Sequence, residues 1–491
     1  MIPVVTPEQM AGVDAAATEP VEVLIGRAGA AVATAARRRL SGTYGARIVV
    51  VAGKGNNGAD GRAAARLLRG RGAAVAVLEA ADLGPGERLP PADLVIDAAY
   101  GTGLRGAYAA PDPGGSPVLA VDIPSGVSGL TGEVAGEPGA VVADAVVADA
   151  TVTFAALKPG HLLGEGPDRA GALEVADIGL GWLVAEVADT WLVTDADVIA
   201  GLPRRPREAH KWQSALRVIA GSPGMTGAAW LVSTAAMRAG AGYVRLGVPG
   251  TEPGDTGLPP SEIVVTSLAG GDWVDAVLSD LGRFAALVVG PGLGSSGQGA
   301  GGVLGASSAV GRLVRSAPVP VIIDADGLNA LGSLDALAEV TAGRDRPTVI
   351  TPHAGEYARL AGGPPSADRF EAVRDAARRS GAVVLLKGPV TIVAEPSGRV
   401  LVATAGSSRL ASAGTGDVLS GVIGAFLARG LPGAEAAAFA AHVHGRAAAA
   451  GRAEGLVAPD LPDLVSAWLS RAAANPAPAG GSENWYGEVA D

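Results

Sequence analysis

Arg47-Ile-Val-Val-Val-Ala52 runs without a break into Gly53-Lys-Gly-Asn-Asn-Gly-Ala-Asp-Gly61. A short apolar run, a glycine turn and a helical pattern over Ala59–Gly70 read as strand, loop and helix. That is the opening unit of a parallel α/β sheet. The strand is almost wholly apolar, as expected where helices cover both faces of a sheet. Gly53, Gly55 and Gly58 fit the dinucleotide pattern G-x-G-x-x-G, and Glu79 ends the next strand about twenty residues on. Glycine, however, makes up 73 of the 491 residues. At that frequency three fixed glycines recur by chance about once or twice in such a chain. The pattern begins at Gly53, Gly101, Gly292 and Gly297. Spacing alone therefore decides nothing; the polar residues lodged between the glycines carry the information.

Outward from this unit the same alternation continues. Strands are predicted at Ala74–Leu78, Asp93–Asp97, Val118–Val121, Thr151–Phe154 and Ala172–Ala176. A second series follows at Leu216–Ala220, Tyr243–Gly247, Glu262–Thr266, Ala286–Val289, Val319–Ile323, Thr348–Thr351, Val383–Lys387 and Thr391–Ala394. Two tandem α/β domains, each a three-layer αβα sandwich, account for the length. The boundary falls near Val187, giving domains 1–186 and 187–475 and a Pro- and Gly-containing flexible tail over 476–491. The Pro- and Arg-rich stretch Gly201–His210 reads as an entry loop to the second domain.

Composition narrows the function. The formal net charge is −11 and no basic stripe is present, which argues against nucleic acid. There is no cysteine, which excludes disulfides, a thiolate nucleophile and Cys-ligated metals. No apolar run approaches the ~18–20 residues of a spanning helix, and the first residues lack an export signal. A cytoplasmic homo-oligomer acting on small molecules, without nucleic-acid or membrane partners, is expected. Only Lys54, Lys158, Lys211 and Lys387 are lysine, against 34 arginines. An arginine cannot replace a compact ammonium, so these four positions draw notice. His442 and His444, two apart on a helix, point in different directions and make a poor metal pair. His161 and His210 read as surface loop residues.

The Gly53 loop carries Asn56, Asn57 and Asp60, whereas a pyrophosphate cradle needs backbone N–H groups and little else. Two more strand ends of the same sheet are similarly loaded: Asp97 before Gly101-Thr-Gly103, and Val121-Asp-Ile-Pro-Ser125-Gly126. In a parallel sheet such ends converge on one crevice. Asn57, Asp97 and Ser125 could then give oxygen ligands to a hard cation, leaving Asp122 as an acid or base. Singly, each reads better as a helix cap; together they read as a site. These motifs, in this order, resemble the NAD(P)H-hydrate epimerase domain. That family is Rossmann-like, binds potassium and interconverts the R and S forms of hydrated NADH or NADPH. The resemblance covers most of residues 1–186. It implies potassium ligation by Asn57, Asp97 and Ser125. The hydrate pocket would comprise Asn56, Asn57, Gly58, Ala59 and Asp60, together with Gly101, Thr102, Gly103, Leu104, Arg105, Gly106 and Ala107, with Asp122 catalytic. Ala59 stands where the family usually has glycine.

In the second half, Ala413-Gly-Thr-Gly-Asp417-Val-Leu-Ser-Gly421 leads glycines into an apolar helix. Free N–H groups at such an N-terminus favour an anion. Asp417 stands where a base would take the proton of a hydroxyl attacking a phosphoryl group. Around it lie Lys387-Gly-Pro-Val-Thr391, Thr351-Pro-His-Ala-Gly-Glu356, Gly290-Pro-Gly-Leu-Gly294 and Asp324-Ala-Asp-Gly-Leu-Asn329. With Gly221–Ala228 and Arg238–Gly242 these resemble the ADP-dependent NAD(P)H-hydrate dehydratase domain of the ribokinase-like superfamily, over nearly all of residues 205–470. The resemblance implies that Lys387, Gly388, Pro389, Val390, Thr391 and Gly416 contact the adenine nucleotide. Ala228, Gly292, Gly294, His353 and Asp417 would contact the hydrate. ADP is then a co-substrate and Mg2+ accompanies its phosphates. Ser407-Ser-Arg409 departs from the usual Asn-Pro-Gly. The alternative is a sugar or vitamin kinase with a non-catalytic N-terminal nucleotide-binding module. An NAD-dependent dehydrogenase would explain Gly53–Gly58 but not Asn56, Asn57 and Asp60.

Overall fold

The computed structural model describes residues 1–104, 106, 108–134, 145–252, 261–268, 272–294, 305 and 307–474. Arg105, Ala107 and the tail over 476–491 lie outside the described residues. The chain divides into two compact units, one beginning at Ile2 and running to Thr190, the other running on from Trp191.

Among the described residues, the N-terminal unit is built on a sheet of six parallel strands. Their order across the sheet is Ala74–Glu79, Arg47–Ala52, Leu94–Ala98, Val118–Val121, Ala150–Phe154 and Ala172–Ala176. The order reverses between Arg47–Ala52 and Leu94–Ala98. A doubly wound sheet opens its ligand crevice at that point, beyond the carboxyl ends of the strands. One face, carrying Ile48, Val50, Leu94 and Ile96, packs on the helices Val21–Arg39 and Asn56–Gly70. Alanines along both helices allow that close packing. The other face, with Val49, Val51, Val95 and Val118, is covered by loop residues such as Leu89, Tyr108 and Val146.

The second unit repeats the plan with a longer sheet. From Val264–Leu268 the order runs through Tyr243–Pro249, Ala215–Ile219, Ala286–Val289, Val321–Ile323, Thr348–Ile350 and Val383–Leu386, all parallel. An antiparallel meander of Thr391–Ala394 and Val400–Ala403 then extends it. Here the order reverses between Ala215–Ile219 and Ala286–Val289, the strands that lead into the Gly221 and Gly290 loops. Helices Gly227–Arg238 and Gly433–Ala449 contribute alanine-rich faces to the main core, and Thr415–Ala428 adds Val418, Val422, Ile423 and Phe426.

Three differences from the sequence reading have local causes. The helix expected from Ala59 begins at Asn56, so Asn56, Asn57 and Asp60 sit on its first turns and not in a loop. Val264–Leu268 forms two residues later than Glu262–Thr266, set by pairing with Arg245–Pro249. Thr190–Leu192 and Val400–Ala403 were not anticipated as strands. The latter is only four residues long, and its hairpin with Thr391–Ala394 is a tertiary choice that alternation does not reveal.

Candidate active sites

In the N-terminal unit the loop after Arg47–Ala52 is only Gly53-Lys54-Gly55. A Cβ on Gly53 would meet Ala99 O at 1.8 Å, and one on Gly58 would meet Gly53 O at 1.8 Å. Two of the three fingerprint glycines are thus demanded by backbone packing, with no phosphate needed to explain them. Glu79, the acid a dinucleotide site would use, is instead paired with Arg62 at 2.5 Å.

Beyond the strand ends lies a cavity of about 430 Å³ lined by Asn56, Asn57, Asp60, Gly101, Thr102, Gly103, Leu104 and Asp122, with Asp14, Tyr100 and Lys158. Gly58, Ala59 and Gly106 are not among its lining residues. Asp122 follows Val118–Val121 with a left-handed backbone, φ 67°. Its Oδ1 accepts from Lys158 Nζ at 2.6 Å and from Thr153 Oγ1 at 3.0 Å. Burial alone would raise its pKa, but the Lys158 ammonium and these hydrogen bonds hold it below the usual carboxylate range. Asp60 has no such partner among the described residues. Burial, then the charges of Asp122 and Asp14, push it up to about 8. Two carboxyls on one cavity are therefore driven apart, one ionised and one protonated at neutral pH.

Asp97 is buried and accepts from Ser125 N–H at 2.8 Å, Ser125 Oγ at 2.7 Å and Ala99 N–H at 3.3 Å. Burial lifts it to about 6 against these hydrogen bonds, and no cation pairs with it among the described residues. Both amide atoms of Asn57 are buried without a hydrogen-bond partner among the described residues. An orphaned amide oxygen, a hydroxyl and an uncompensated carboxylate are suitable donors for a hard monovalent cation.

His161 corrects the expectation of a surface residue: it is 1% exposed. Its Nδ1 accepts from Lys158 N–H at 3.0 Å, so the other nitrogen carries the proton and donates to Asp122 O at 2.8 Å. Burial, then the Lys158 charge, lowers it to about 4, leaving it neutral. The sequence reading gave no role to Lys158, Thr153 or His161. The signal available was the rarity of lysine, together with Lys158 and His161 standing three apart.

In the second unit, helix Thr415–Ala428 begins after Gly414, which takes φ 90°. Asp417 lies in its first turn. Lys387, following Val383–Leu386, reaches over that N-terminus; a Cβ on Gly416 would lie 3.6 Å from its Nζ. The ammonium donates to Asp324 Oδ1 at 2.9 Å and lies 3.8 Å from Glu356 Oε2. Asp324, 1% exposed, also accepts from Ser420 Oγ at 2.7 Å. Burial and then the Asp324 charge raise Asp417 to about 6, against the pull of Lys387. His353 caps helix Ala354–Ala361, its Nδ1 accepting from Gly355 and Glu356 N–H groups and its Nε2 lying 3.6 Å from Glu356 Oε2, with the ring half exposed. Gly388, Pro389 and Val390 form the turn into Thr391–Ala394. Ser222 Oγ donates to Gly292 O at 3.0 Å, and a Cβ on Gly292 would lie 3.0 Å from that of Ala228. Gly294 N–H donates to Asp326 Oδ2 at 2.8 Å. Asp324, Glu356 and Ser420 were within or beside the quoted motifs, but nothing in their spacing announced the Lys387 network.

Among the described residues no helix is long and apolar enough to cross a membrane. Residues 216–470 match a family model described as NAD(P)H-hydrate dehydratase, and residues 21–88 and 79–160 match the YjeF-related protein N-terminus. A bifunctional NAD(P)H-hydrate repair enzyme of Mycobacterium tuberculosis is 40% identical over 462 residues, covering 86% of this chain and 88% of its own. Its counterpart in Salinibacter ruber is 37% identical over 487 residues, covering 85% and 86%. A solved ADP/ATP-dependent NAD(P)H-hydrate dehydratase of Bacillus subtilis, co-crystallised with ATP and Mg2+, is 29% identical. It covers 57% of this chain and 98% of its own, with a TM-score of 0.47. By the extent of these matches, the chain belongs to the family of bifunctional NAD(P)H-hydrate repair enzymes.

Proposed function

We propose that the chain repairs hydrated NADH and NADPH in two steps, one in each domain. The N-terminal domain interconverts the R and S hydrates; the second domain dehydrates the S form at the expense of ADP. The observation that carries the first assignment is the pair of carboxyls on one cavity, Asp122 ionised and Asp60 protonated. Divergent titration of neighbouring groups is how a site supplies an acid and a base at one pH. Epimerisation at the carbinol carbon requires a proton to be taken and another given. Asp122 is the base and Asp60 the acid. Asn56, Asn57 and the stretch Gly101–Ala107 hold the hydrate.

Asn57, Asp97 and Ser125 are the potassium ligands. The ion would supply the positive charge that the enclosed Asp97 otherwise lacks.

In the second domain Asp417 is the base that takes the hydrate's hydroxyl proton as the nucleotide's terminal phosphoryl group is transferred. A base with its pKa raised towards the working pH is suited to that task. Loss of the phosphate together with a proton from the neighbouring ring carbon then restores the double bond of the dihydronicotinamide, phosphate being a far better leaving group than hydroxide. The helix N-terminus and Lys387 attract the nucleotide phosphates, with Gly388–Thr391 and Gly416 beside them. Ala228, Gly292, Gly294 and His353 contact the hydrate. Mg2+ accompanies the polyphosphate and neutralises its charge. The protein works in the cytoplasm and as a homo-oligomer, the latter checked by light scattering on purified protein. The function is tested by supplying each hydrate epimer separately. Pure S hydrate should regain dihydronicotinamide absorbance only with nucleotide, and pure R hydrate should become an R/S mixture faster than it does spontaneously. Phosphate transfer to a sugar or vitamin without hydrate turnover would overturn the reading.

A further inference from the structure

We propose that Lys158 is the positioning residue of the N-terminal site, holding the Asp122 carboxylate charged and turned so that Oδ2 alone is presented for proton transfer. This rests on the epimerase reading of the cavity. Lys158 is 1% exposed, and such a position for an ammonium is tolerable only with close partners. It has four acceptors: Asp122 Oδ1 at 2.6 Å, Thr153 Oγ1 at 2.8 Å, and the Phe154 and Ala156 carbonyls at 3.3 Å. Its own N–H donates to His161 Nδ1, and His161 Nε2–H grips the Asp122 carbonyl. One short turn thus controls Asp122 twice, by side chain and by main chain. The grip on the main chain matters because Asp122 holds a left-handed φ of 67°, a conformation that aspartate tolerates better than most residues and that the His161 hydrogen bond to its carbonyl helps to fix.

Oδ1 is fully engaged by Lys158 and Thr153. Oδ2 faces Gly101, where a Cβ would come within 3.2 Å, so the missing side chain leaves that oxygen approachable. Charge makes the same point. The described cavity lining carries Asp14, Glu19, Asp60 and Asp122, with Lys158 its single cation and His161 neutral behind it. Without Lys158 the described lining would give Asp122 no cation, and burial would raise its pKa so that it already holds the proton it is meant to take.

A purely structural role, pinning the turn at Phe154–Ala156, competes with this inference, and chemical rescue separates the two. In the full-length chain, Lys158→Ala should lower kcat for nucleotide-free R/S interconversion by roughly 100-fold, the scale of acid–base catalysis, with KM little changed. Added ethylammonium should restore much of the loss. Tetramethylammonium, which has no N–H, should not. Lys158→Met, which fills the space, should be equally impaired and beyond rescue. Wild-type kcat in a folded Lys158→Ala protein, or no response to ethylammonium, overturns the inference. If Lys158→Ala fails to fold, Thr153→Val, which removes the shared hydroxyl and keeps the shape, must lower kcat without raising KM. An unchanged kcat there also overturns it. Wild-type protein that does not speed interconversion overturns the epimerase reading and this inference together.

Discussion

Each domain sets one of the chain's four lysines against an aspartate beyond the carboxyl ends of parallel strands, yet the two pairs leave opposite consequences. In the N-terminal domain Lys158 meets Asp122, the aspartate that faces the cavity, and keeps it ionised. In the second domain Lys387 meets Asp324, and Asp417 is left beside the pair, raised to about 6. On the proposed mechanism the ammonium acts directly on the base in one site and indirectly in the other. The first arrangement would give a base ionised at neutral pH, balanced by a separate acid, Asp60. The second would give a base poised near neutrality at a helix N-terminus, which favours phosphates. The same local chemistry would then serve proton shuttling in one half and phosphoryl transfer in the other.

The comparison breaks most sharply under reciprocal substitution. Asp417→Asn should cost the dehydratase step at least ~1,000-fold and leave R/S interconversion intact, while Asp122→Asn should do the reverse. Separate assays of the two steps on each variant check this; loss of both activities in either variant would deny that the sites are independent. Lys387→Met comes next. It strands the buried Asp324 carboxylate, so unfolding of the second domain should become easier by about 3–5 kcal/mol, read from denaturant titration.

The pH profiles should differ as well. Dehydration should fall as pH drops through about 6, where Asp417 takes a proton. Interconversion should instead fall as pH rises through about 8, where Asp60 loses its proton, because Asp122 stays ionised well below the usual carboxylate range. Profiles of kcat/KM for each step over the same buffers would show whether the two limbs lie on opposite sides of neutrality. The smallest effect concerns stability. Asp60 has a raised folded pKa, so its protonated form stabilises the fold fully below about 4, its unfolded value, and that contribution is lost as pH rises towards 8. Asp60→Asn should therefore raise the N-terminal melting temperature by a few degrees at pH 8 relative to wild type, and by little at pH 4.

What the sequence disclosed follows from range. Arg47–Ala52 and its glycine turn, Asn57, Asp97 and Ser125 at three strand ends, and Gly414–Asp417 at a helix start are local patterns. Strand periodicity and parallel topology bring local patterns together in predictable places. Asn56, Asn57 and Asp60 were legible as a polar insertion among glycines, although the helix starts early enough to hold all three. Lys158 is different, because its value lies in meeting Asp122 from 36 positions away, across the strand Ala150–Phe154. The same holds for Asp324 with Lys387, 63 apart. His161 was misjudged for a related reason: a Pro-Gly turn reads as surface, and only the fold shows that this turn is tucked under Asp122.

The central claim, two sites acting in succession, is tested most directly by one progress curve. A mixture of R and S NADH hydrates is given to the full-length protein with ADP and Mg2+, and dihydronicotinamide absorbance is followed to its end point. The account predicts that wild-type protein converts the whole mixture, and that Asp122→Asn converts the S portion at the wild-type rate and the remainder only as fast as it epimerises spontaneously. Conversion by wild-type protein that stops at the S portion, or complete conversion at an unchanged rate by Asp122→Asn, would contradict it.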